Sequence, residues 1–295
     1  MSPRTPRAEL ALVLVALVWG ATFVLVKAAL EGVSTLLFLA LRFSLAGVVL
    51  AVAYRGRMSW LSRRSRPFAG GLTAGVCLFG GYLFQTLGLR FTTPSKSAFL
   101  TGLSIVLVPL FGASMRRRLP PERVTAGVLT AAAGMALLTL ESGDWRASPG
   151  DLLTLAGAVF FALHILALGR YVPRDGFEPV SVLQVATAAG LSLVSFWWAE
   201  RPYITWNAAV LLALGVTGVL ATAGAFTIQA WAQQHTNPTR TALIFALEPV
   251  FAAATAYAAS AEVLTGRQFV GAALILGGIL LVELKPRAES QHQIV

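Results

Sequence analysis

Long apolar runs follow one another along the whole chain, separated by short polar connections. Each run is about 20 residues long, the length that an α-helix needs to cross the hydrocarbon core of a bilayer. We therefore predict an all-α membrane protein with little room for a soluble domain. The ten predicted membrane-spanning helices cover 9–30, 33–54, 68–90, 95–115, 123–141, 151–171, 178–199, 207–232, 238–260 and 266–284.

The composition is that of a protein solvated largely by lipid. Of the 295 residues, 56% are apolar and 12% are charged, and the mean hydropathy is +0.72. A soluble fold cannot bury that much apolar surface. The first apolar run resembles a secretory signal, but it is too long and lacks a small-residue cleavage site, so we interpret it as a retained helix. The single cysteine, Cys77, allows neither a disulfide nor a cysteine metal cluster.

The positive charge of the chain, +10 at neutral pH, is unevenly distributed. Sixteen of the 23 Lys and Arg residues fall in segments that are cytoplasmic if the N-terminus is inside, against six in the outer segments. By the positive-inside rule, both termini are predicted to be cytoplasmic, with 285–295 as a cytoplasmic tail. Because the membrane topology explains the excess of Lys and Arg over Asp and Glu, the net charge does not indicate nucleic-acid binding.

The second half of the chain repeats the first. With a shift of 144 positions Gln85 aligns with Gln229 and Lys96 with Arg240, while the earlier helices align with shifts of 142 or 143. We predict two five-helix repeats, 9–141 and 151–284. Because five is odd, the second repeat enters the membrane from the opposite side. Secondary transporters use such inverted repeats and bind ligand near the midplane between them.

Glu248 is a carboxylate in the middle of the predicted ninth helix, about ten residues and roughly 15 Å from its start. A charge at that depth costs a few kcal/mol or more, so it is a functional candidate. We predict that Glu248 binds a cationic solute group or exchanges a proton. Two alternatives stay open: an ion pair with Arg42, the other deep charge, or a protonated carboxyl that hydrogen-bonds at the break beside Pro249.

Polar and aromatic side chains recur at matching positions in the two repeats. Amides surrounded by lipid need hydrogen-bond partners, so these residues are expected to face the interior, where they join helices or contact solute. His164 stands where the first helix has Thr22. The histidines lack metal-ligand spacing, so no metal site is predicted. The predicted substrate-binding or coupling residues are Glu248, Gln85, Gln229, Tyr82, Phe226, Trp19, Phe161 and His164.

The fourth and ninth helices begin alike, with Thr93-Pro94 and Asn237-Pro238. Each pair predicts a polar N-cap followed by proline at the first helical position. Two residues later, Lys96 and Arg240 are predicted at opposite membrane faces. They either reach toward lipid head groups or act as cations at two gates. Arg42 is interpreted as a structural or snorkelling charge.

Pro109 and Pro249 lie inside the same two helices, at positions that do not align under the repeat. A proline within a helix removes a backbone hydrogen bond and bends the axis. A membrane tolerates such a break only where protein or cavity water satisfies the freed carbonyl. Both helices are therefore predicted to break at these prolines and to face the pathway.

Several segments together resemble paired EamA modules of the drug/metabolite transporter superfamily. They are ALVWGATFVLVK with LRFSLAG, AFLTGLSIVLVPLF, GDLLTLAGAVFFALHIL, ALEPVF and AEVLTGRQFVGAALILGGILL. The similarity covers about residues 9–284. It implies ten helices around a central cavity, with the fifth and tenth outside the pathway. It also implies transport of small metabolites such as amino acids.

The function favoured by these observations is secondary transport of small organic solutes, with a lean toward carboxylate-bearing ones, across a bacterial plasma membrane. A passive facilitator or a channel is the alternative. An enzyme is less favoured, because the chain lacks G-x-S-x-G, H-E-x-x-H and a carboxylate dyad. No ATP-binding motif and no cofactor site is found. Small-residue faces in the fifth and tenth helices predict close packing within the chain, or a homodimer.

Overall fold

The computed structural model describes residues 6–57, 67–117, 119–139, 148–260 and 265–283, and the predicted tail 285–295 lies outside them. These residues are helical almost throughout, apart from an isolated antiparallel bridge between Val33 and Ile204. The helices are α1 (Pro6–Gly20), α2 (Thr22–Ala29), α3 (Thr35–Tyr54), α4 (Pro67–Leu89), α5 (Pro94–Gly102), α6 (Ser104–Arg116), α7 (Glu122–Thr139), α8 (Pro149–Asp175), α9 (Phe177–Ala199), α10 (Ala208–Gly215), a π-helix (Val216–Gly224), α11 (Ala225–Gln233), α12 (Pro238–Phe245), α13 (Glu248–Ser260) and α14 (Gly266–Glu283).

Helical segments occupy each of the ten ranges that the apolar pattern indicated. Within the described residues, seven helical stretches are long and apolar enough to cross a membrane, and Gly266–Val282 is apolar but shorter. The seven are Pro6–Ala29, Thr35–Arg57, Phe68–Leu89, Lys96–Arg116, Pro149–Asp175, Phe177–Ala199 and Ala208–Gln233. The chain is thus an all-helical protein with multiple membrane-spanning segments, while ten crossings and the orientation of the termini stay predictions.

Four of these ranges depart from a regular α-helix near their middle. The first is interrupted at Ala21, the fourth at Leu103 and the ninth at Ala246 and Leu247. The eighth contains the nine-residue π-helix between α10 and α11. A π segment within a helix often marks a functional site, and interrupted backbone inside a membrane must face protein or a cavity.

The two interior prolines relate differently to these interruptions. Pro249 is the second residue of α13, directly after the break. Pro109 lies within the continuous helix α6, so the fourth range is broken at Leu103 and not at Pro109. At Leu103 the backbone N–H is shared between the carbonyls of Phe99 and Leu100, both at 3.2 Å, which tightens the last turn of α5.

The predicted caps of α5 and α12 are confirmed. The Thr93 hydroxyl accepts from the backbone N–H of Lys96 at 3.2 Å, and the Asn237 Oδ1 accepts from that of Arg240 at 2.9 Å. A proline occupies the first turn of both helices. These caps satisfy N–H groups that a helix terminus otherwise leaves without partners.

Helices from the two halves of the chain pack across each other. α4 packs along α8 and α9, and α3 packs along α9. The largest apolar cluster joins them through buried side chains such as Phe38, Phe43, Leu78 and Phe226. α7 and α14 instead pack mainly against one another.

The α7–α14 contact depends on glycines at matching positions. A Cβ on Gly278 would lie 2.5 Å from the Gly127 carbonyl oxygen, and a Cβ on Gly134 would lie 2.6 Å from the Gly271 carbonyl oxygen. Small residues allow two helix backbones to approach this closely. The small-residue faces predicted in the fifth and tenth helices are therefore occupied within the chain.

Replacing Gly278 with Leu is expected to destabilise the folded protein, because the side chain meets backbone atoms that cannot move aside. Overpacking of this kind typically costs about 1–3 kcal/mol. The adjacent Gly277→Leu variant is the matched control, since a Cβ there meets nothing within 4 Å. Thermal unfolding of both purified variants in one detergent measures the difference. Equal midpoints would show that the close contact does not limit stability.

Candidate functional site

A cavity lies among the interrupted helices, lined by residues of α1 to α6, α8 and α11 to α13. The space open to the centre of a water molecule is about 70 Å³, which is room for several ordered waters. Residues on both sides of the three α-helical interruptions line it. The irregular backbone therefore faces the cavity, as a membrane environment requires.

All of the residues predicted to bind substrate or to couple transport line this one cavity, and so does Arg42. They are Trp19, Tyr82, Gln85, Phe161, His164, Phe226, Gln229 and Glu248. Lys96, Arg240, Pro109 and Pro249 are not among the lining residues. The structure thus brings the first group together, and what each residue does for a solute stays a prediction.

Glu248 is the first residue of α13 and is half-buried at the cavity wall. Its carboxylate forms no ion pair or hydrogen bond with another described side chain. The positive end of the α13 dipole favours an anion at this position. The backbone at Gly20 packs closely against the backbone of Glu248, since a Cβ on Gly20 would lie 2.5 Å from the Glu248 carbonyl oxygen. Glu248 is therefore an acid whose backbone is fixed and whose carboxylate has no partner among the described side chains.

Arg42 is 3% exposed and is held by neutral groups. Its Nε donates to the Thr222 hydroxyl at 2.8 Å, and its Nη2 donates to the Tyr82 hydroxyl at 3.0 Å. The guanidinium carbon lies 4.2 Å from the centroid of the Tyr82 ring, a cation–π arrangement. Nη1 has no hydrogen-bond partner among the described residues. Arg42 and Glu248 therefore line the same cavity without neutralising each other.

Aromatic rings from both repeats form much of the apolar wall, with Phe226 at their centre. Its ring centroid lies 5.0 Å from that of Trp19, 5.5 Å from that of His164 and 6.0 Å from that of Tyr82. Tyr82 also meets Phe161 edge-on at 5.2 Å. Such tilted and T-shaped contacts are the favourable geometries of aromatic pairs. The wall is rigid and apolar, suited to the hydrocarbon part of a solute.

The two repeated glutamines are bonded differently. Gln85 Nε2 donates to the Thr101 hydroxyl at 2.9 Å. Gln229 Nε2 donates to Gln233 Oε1 at 3.1 Å, while Gln229 Oε1 is buried with no hydrogen-bond partner among the residues that the structure describes. A buried carbonyl oxygen left without a donor costs about 1–3 kcal/mol. Gln229 is thus a candidate acceptor for a donor group in the cavity.

His164 is fully buried beside these residues. Its Nε2 lies 2.7 Å from Gln184 Oε1 and donates to it, because an amide oxygen only accepts. This bond fixes the orientation of the imidazole ring at the cavity wall. Gln184 lies in the region of the second repeat that corresponds to the region of Arg42 in the first.

The match to known proteins follows the repeat. The sequence model of the EamA-like transporter family matches this chain twice, over residues 6–140 and 148–284. The chain belongs to the EamA-like transporter family.

Similar proteins from other organisms carry transporter names. The chain is 34% identical to an "Uncharacterized transporter" of Archaeoglobus fulgidus, over 94% of this chain and 86% of that protein. It is 26% identical to a "Probable amino-acid metabolite efflux pump" of Salmonella typhimurium, over 91% and 92%. A solved crystal structure superimposes with a TM-score of 0.76 at 25% identity, over 95% and 97% of the two chains. These names indicate transporters and not enzymes, and they support a multi-pass membrane protein.

In this EamA-like transporter, Lys96 and Arg240 each form an ion pair with an acidic residue, and the sequence pattern did not predict either acidic partner. Lys96 Nζ lies 3.2 Å from Asp151 Oδ2, and Arg240 Nη1 lies 3.4 Å from Glu9 Oε1. The repeat shifts align Lys96 with Arg240 and Glu9 with Asp151. The two ion pairs are therefore equivalents, and each joins one repeat to the other.

The Asp151 pair is the more enclosed of the two. Asp151 Oδ1 accepts from the Thr92 hydroxyl at 2.6 Å, and Oδ2 accepts from the Ser148 backbone N–H at 2.8 Å in a capping box. The side chains of Lys96 and Asp151 are 13% and 9% exposed, against 19% and 25% for Arg240 and Glu9. The Lys96–Asp151 pair is therefore less screened by solvent than the Arg240–Glu9 pair.

Proposed function

We propose that this protein is a secondary transporter that exports small zwitterionic metabolites, such as amino acids, across a bacterial plasma membrane. In this proposal ten helices form two inverted five-helix repeats with both termini in the cytoplasm. The central cavity opens alternately to the two sides. The positive-inside distribution and the odd number of helices per repeat support that topology.

One observation carries the proposal: a carboxylate and a guanidinium line the same cavity and do not pair. Buried charges are normally paired, since an unpaired charge is costly to bury. Two unpaired opposite charges at one site are complementary to a solute that carries both. Glu248 would receive an ammonium group, and Arg42 would receive a carboxylate through its free Nη1.

The rest of the cavity fits the same class of solute. The aromatic wall around Phe226 would cover an apolar side chain, and Gln229 Oε1 would accept a further hydrogen bond from the ammonium group. Export, not import, is proposed because the similar Salmonella typhimurium and Escherichia coli proteins are named amino-acid metabolite efflux pumps.

Coupling to protons is proposed at Glu248. A carboxylate that meets an ammonium ion or a proton, but not both at once, exchanges the two across the membrane as the cavity alternates. His164 is a less direct candidate, because its Nε2 is already committed to Gln184.

Counterflow in proteoliposomes tests the function. Vesicles containing the purified protein and an unlabelled mixture of the twenty amino acids are expected to take up labelled zwitterionic amino acids saturably, and a pH gradient is expected to change the rate. Protein-free vesicles are the control. Unitary currents in a planar bilayer would instead indicate a channel, and uptake unaffected by any pH gradient would indicate a facilitator.

A further inference from the structure

Ser104 occupies in the first repeat the place that Glu248 occupies in the second. The shift of 144 aligns Leu103 with Leu247 and Ser104 with Glu248. Both helices are interrupted just before this position, and α6 begins at Ser104 as α13 begins at Glu248. The interruptions coincide although Pro109 and Pro249 do not. The break is therefore a property of the repeat and not of either proline.

Ser104 lines the cavity, and its hydroxyl has no hydrogen-bond partner within the part of the chain that the structure describes. Ser104 is 8% exposed and lines the cavity, and its side chain makes no hydrogen bond to another described residue. Thr101, one turn earlier, differs because its hydroxyl accepts from Gln85. Ser104 thus has hydrogen-bonding capacity available to a cavity ligand.

The two repeats supply opposite charges to the cavity. The first supplies Arg42, and the corresponding region of the second repeat carries the neutral Gln184. The second supplies Glu248, whose counterpart Ser104 is neutral. A symmetric scaffold therefore encloses an asymmetric site, in which the first repeat contributes the positive charge and the second repeat contributes the negative charge. The neutrality of Ser104 is part of that asymmetry, because a carboxylate there would offset the positive charge that Arg42 contributes to the cavity.

We propose that Ser104 determines the charge selectivity of the transporter. Arg42 attracts the anionic group of the solute, and the Ser104 hydroxyl forms a hydrogen bond with that group. Because Ser104 is neutral, it does not repel the anionic group as a carboxylate would. This inference rests on the proposed transport of zwitterions. Ser104 is then the residue of the first repeat that distinguishes a zwitterion from a simple amine.

The test compares three probes of similar shape: L-leucine, its methyl ester, which keeps only the ammonium group, and 4-methylpentanoate, which keeps only the carboxylate. Binding to the full-length protein in lipid nanodiscs is measured by titration calorimetry. In Ser104→Glu, affinity for leucine and 4-methylpentanoate is expected to fall about 10-fold or more, while affinity for the ester is kept or increased. The helix start tolerates a glutamate, as Glu248 shows at the equivalent position.

Ser104→Ala isolates the hydroxyl. Loss of one hydrogen bond to a charged group is expected to weaken leucine binding about 10- to 100-fold, with ester binding unchanged. Ser97→Ala is the matched control, since Ser97 lies in α5, is buried with no hydrogen-bond partner in the described part of the chain and does not line the cavity. Its affinities are expected to equal those of the wild type.

The outcomes separate this inference from the function it rests on. If wild-type protein binds leucine but Ser104→Glu weakens leucine and ester equally, or Ser104→Ala leaves leucine binding unchanged, the role of Ser104 is overturned and zwitterion binding stands. If wild-type protein binds none of the three probes, the zwitterion assignment itself falls, and with it this inference. A Ser104→Glu variant that fails to fold leaves the Ser104→Ala result to decide.

Discussion

Replacing Glu248 with Gln is expected to abolish proton-coupled transport while leaving the folded protein intact. Gln keeps the size of the side chain and can neither release a proton nor attract an ammonium group by charge. Hydrogen bonds to charged groups contribute about 1.5–3 kcal/mol, so affinity for an amine is expected to fall about 10- to 100-fold. Folding should persist because the Glu248 carboxylate has no described side-chain partner to lose.

The measurement is counterflow and pH-gradient-driven uptake by the Glu248→Gln protein in proteoliposomes. Glu178→Gln is the control, because Glu178 pairs with the exposed Arg57 at 2.7 Å, away from the cavity. That variant is expected to transport as the wild type does. Full uptake with an unchanged response to pH in Glu248→Gln would remove Glu248 from the mechanism.

The helices could be predicted from the sequence, but of their interruptions only the one beside Pro249 could. Apolar runs of bilayer length identify helices because every residue contributes to the pattern. The interruptions at Ala21 and Leu103 carry no proline, and Pro109, which does carry the local signal, lies in continuous helix. The interruptions border the cavity that several neighbouring helices form together. The apolar pattern of one helix contains no information about that cavity.

The deep polar residues of the site could also be predicted, for a different reason. A charge or an amide within an apolar run is conspicuous because lipid cannot satisfy it, which is how Glu248, Arg42 and the paired glutamines were found. Ser104 is not conspicuous, since a hydroxyl in a helix commonly bonds back to a carbonyl one turn earlier, as Thr154 does to Gly150. Only the repeat alignment with Glu248 singles it out.

The acidic partners of Lys96 and Arg240 needed the structure. Glu9 and Asp151 lie in the first turns of α1 and α8, where acidic residues are common because they complement the helix dipole. Glu9 and Arg240 are 231 residues apart in the chain. Their ion pair depends on how the two repeats pack against each other. A pattern within one segment of the sequence contains no information about that packing.

Breaking these two ion pairs one at a time is expected to shift the transporter in opposite directions. In the proposed topology the Lys96–Asp151 pair closes the outer side and the Glu9–Arg240 pair closes the cytoplasmic side. Asp151→Asn should therefore favour the outward-open state, and Glu9→Gln the inward-open state. Loss of a partly buried pair worth about 1–3 kcal/mol shifts such an equilibrium about 5- to 150-fold, and the more enclosed Asp151 pair should give the larger shift.

A cysteine at Thr86, which lines the cavity, reports the shift in a background where Cys77 is replaced by Ser. Labelling by a membrane-impermeant maleimide from outside is expected to speed up in Asp151→Asn and to slow down in Glu9→Gln. Arg57→Gln, which breaks an exposed pair outside the cavity, should leave it unchanged. In Glu9→Arg with Arg240→Glu, the restored attraction should return labelling toward the wild-type rate. Shifts of the same sign in both single variants would contradict gating by equivalent pairs, because two gates on opposite faces must oppose each other.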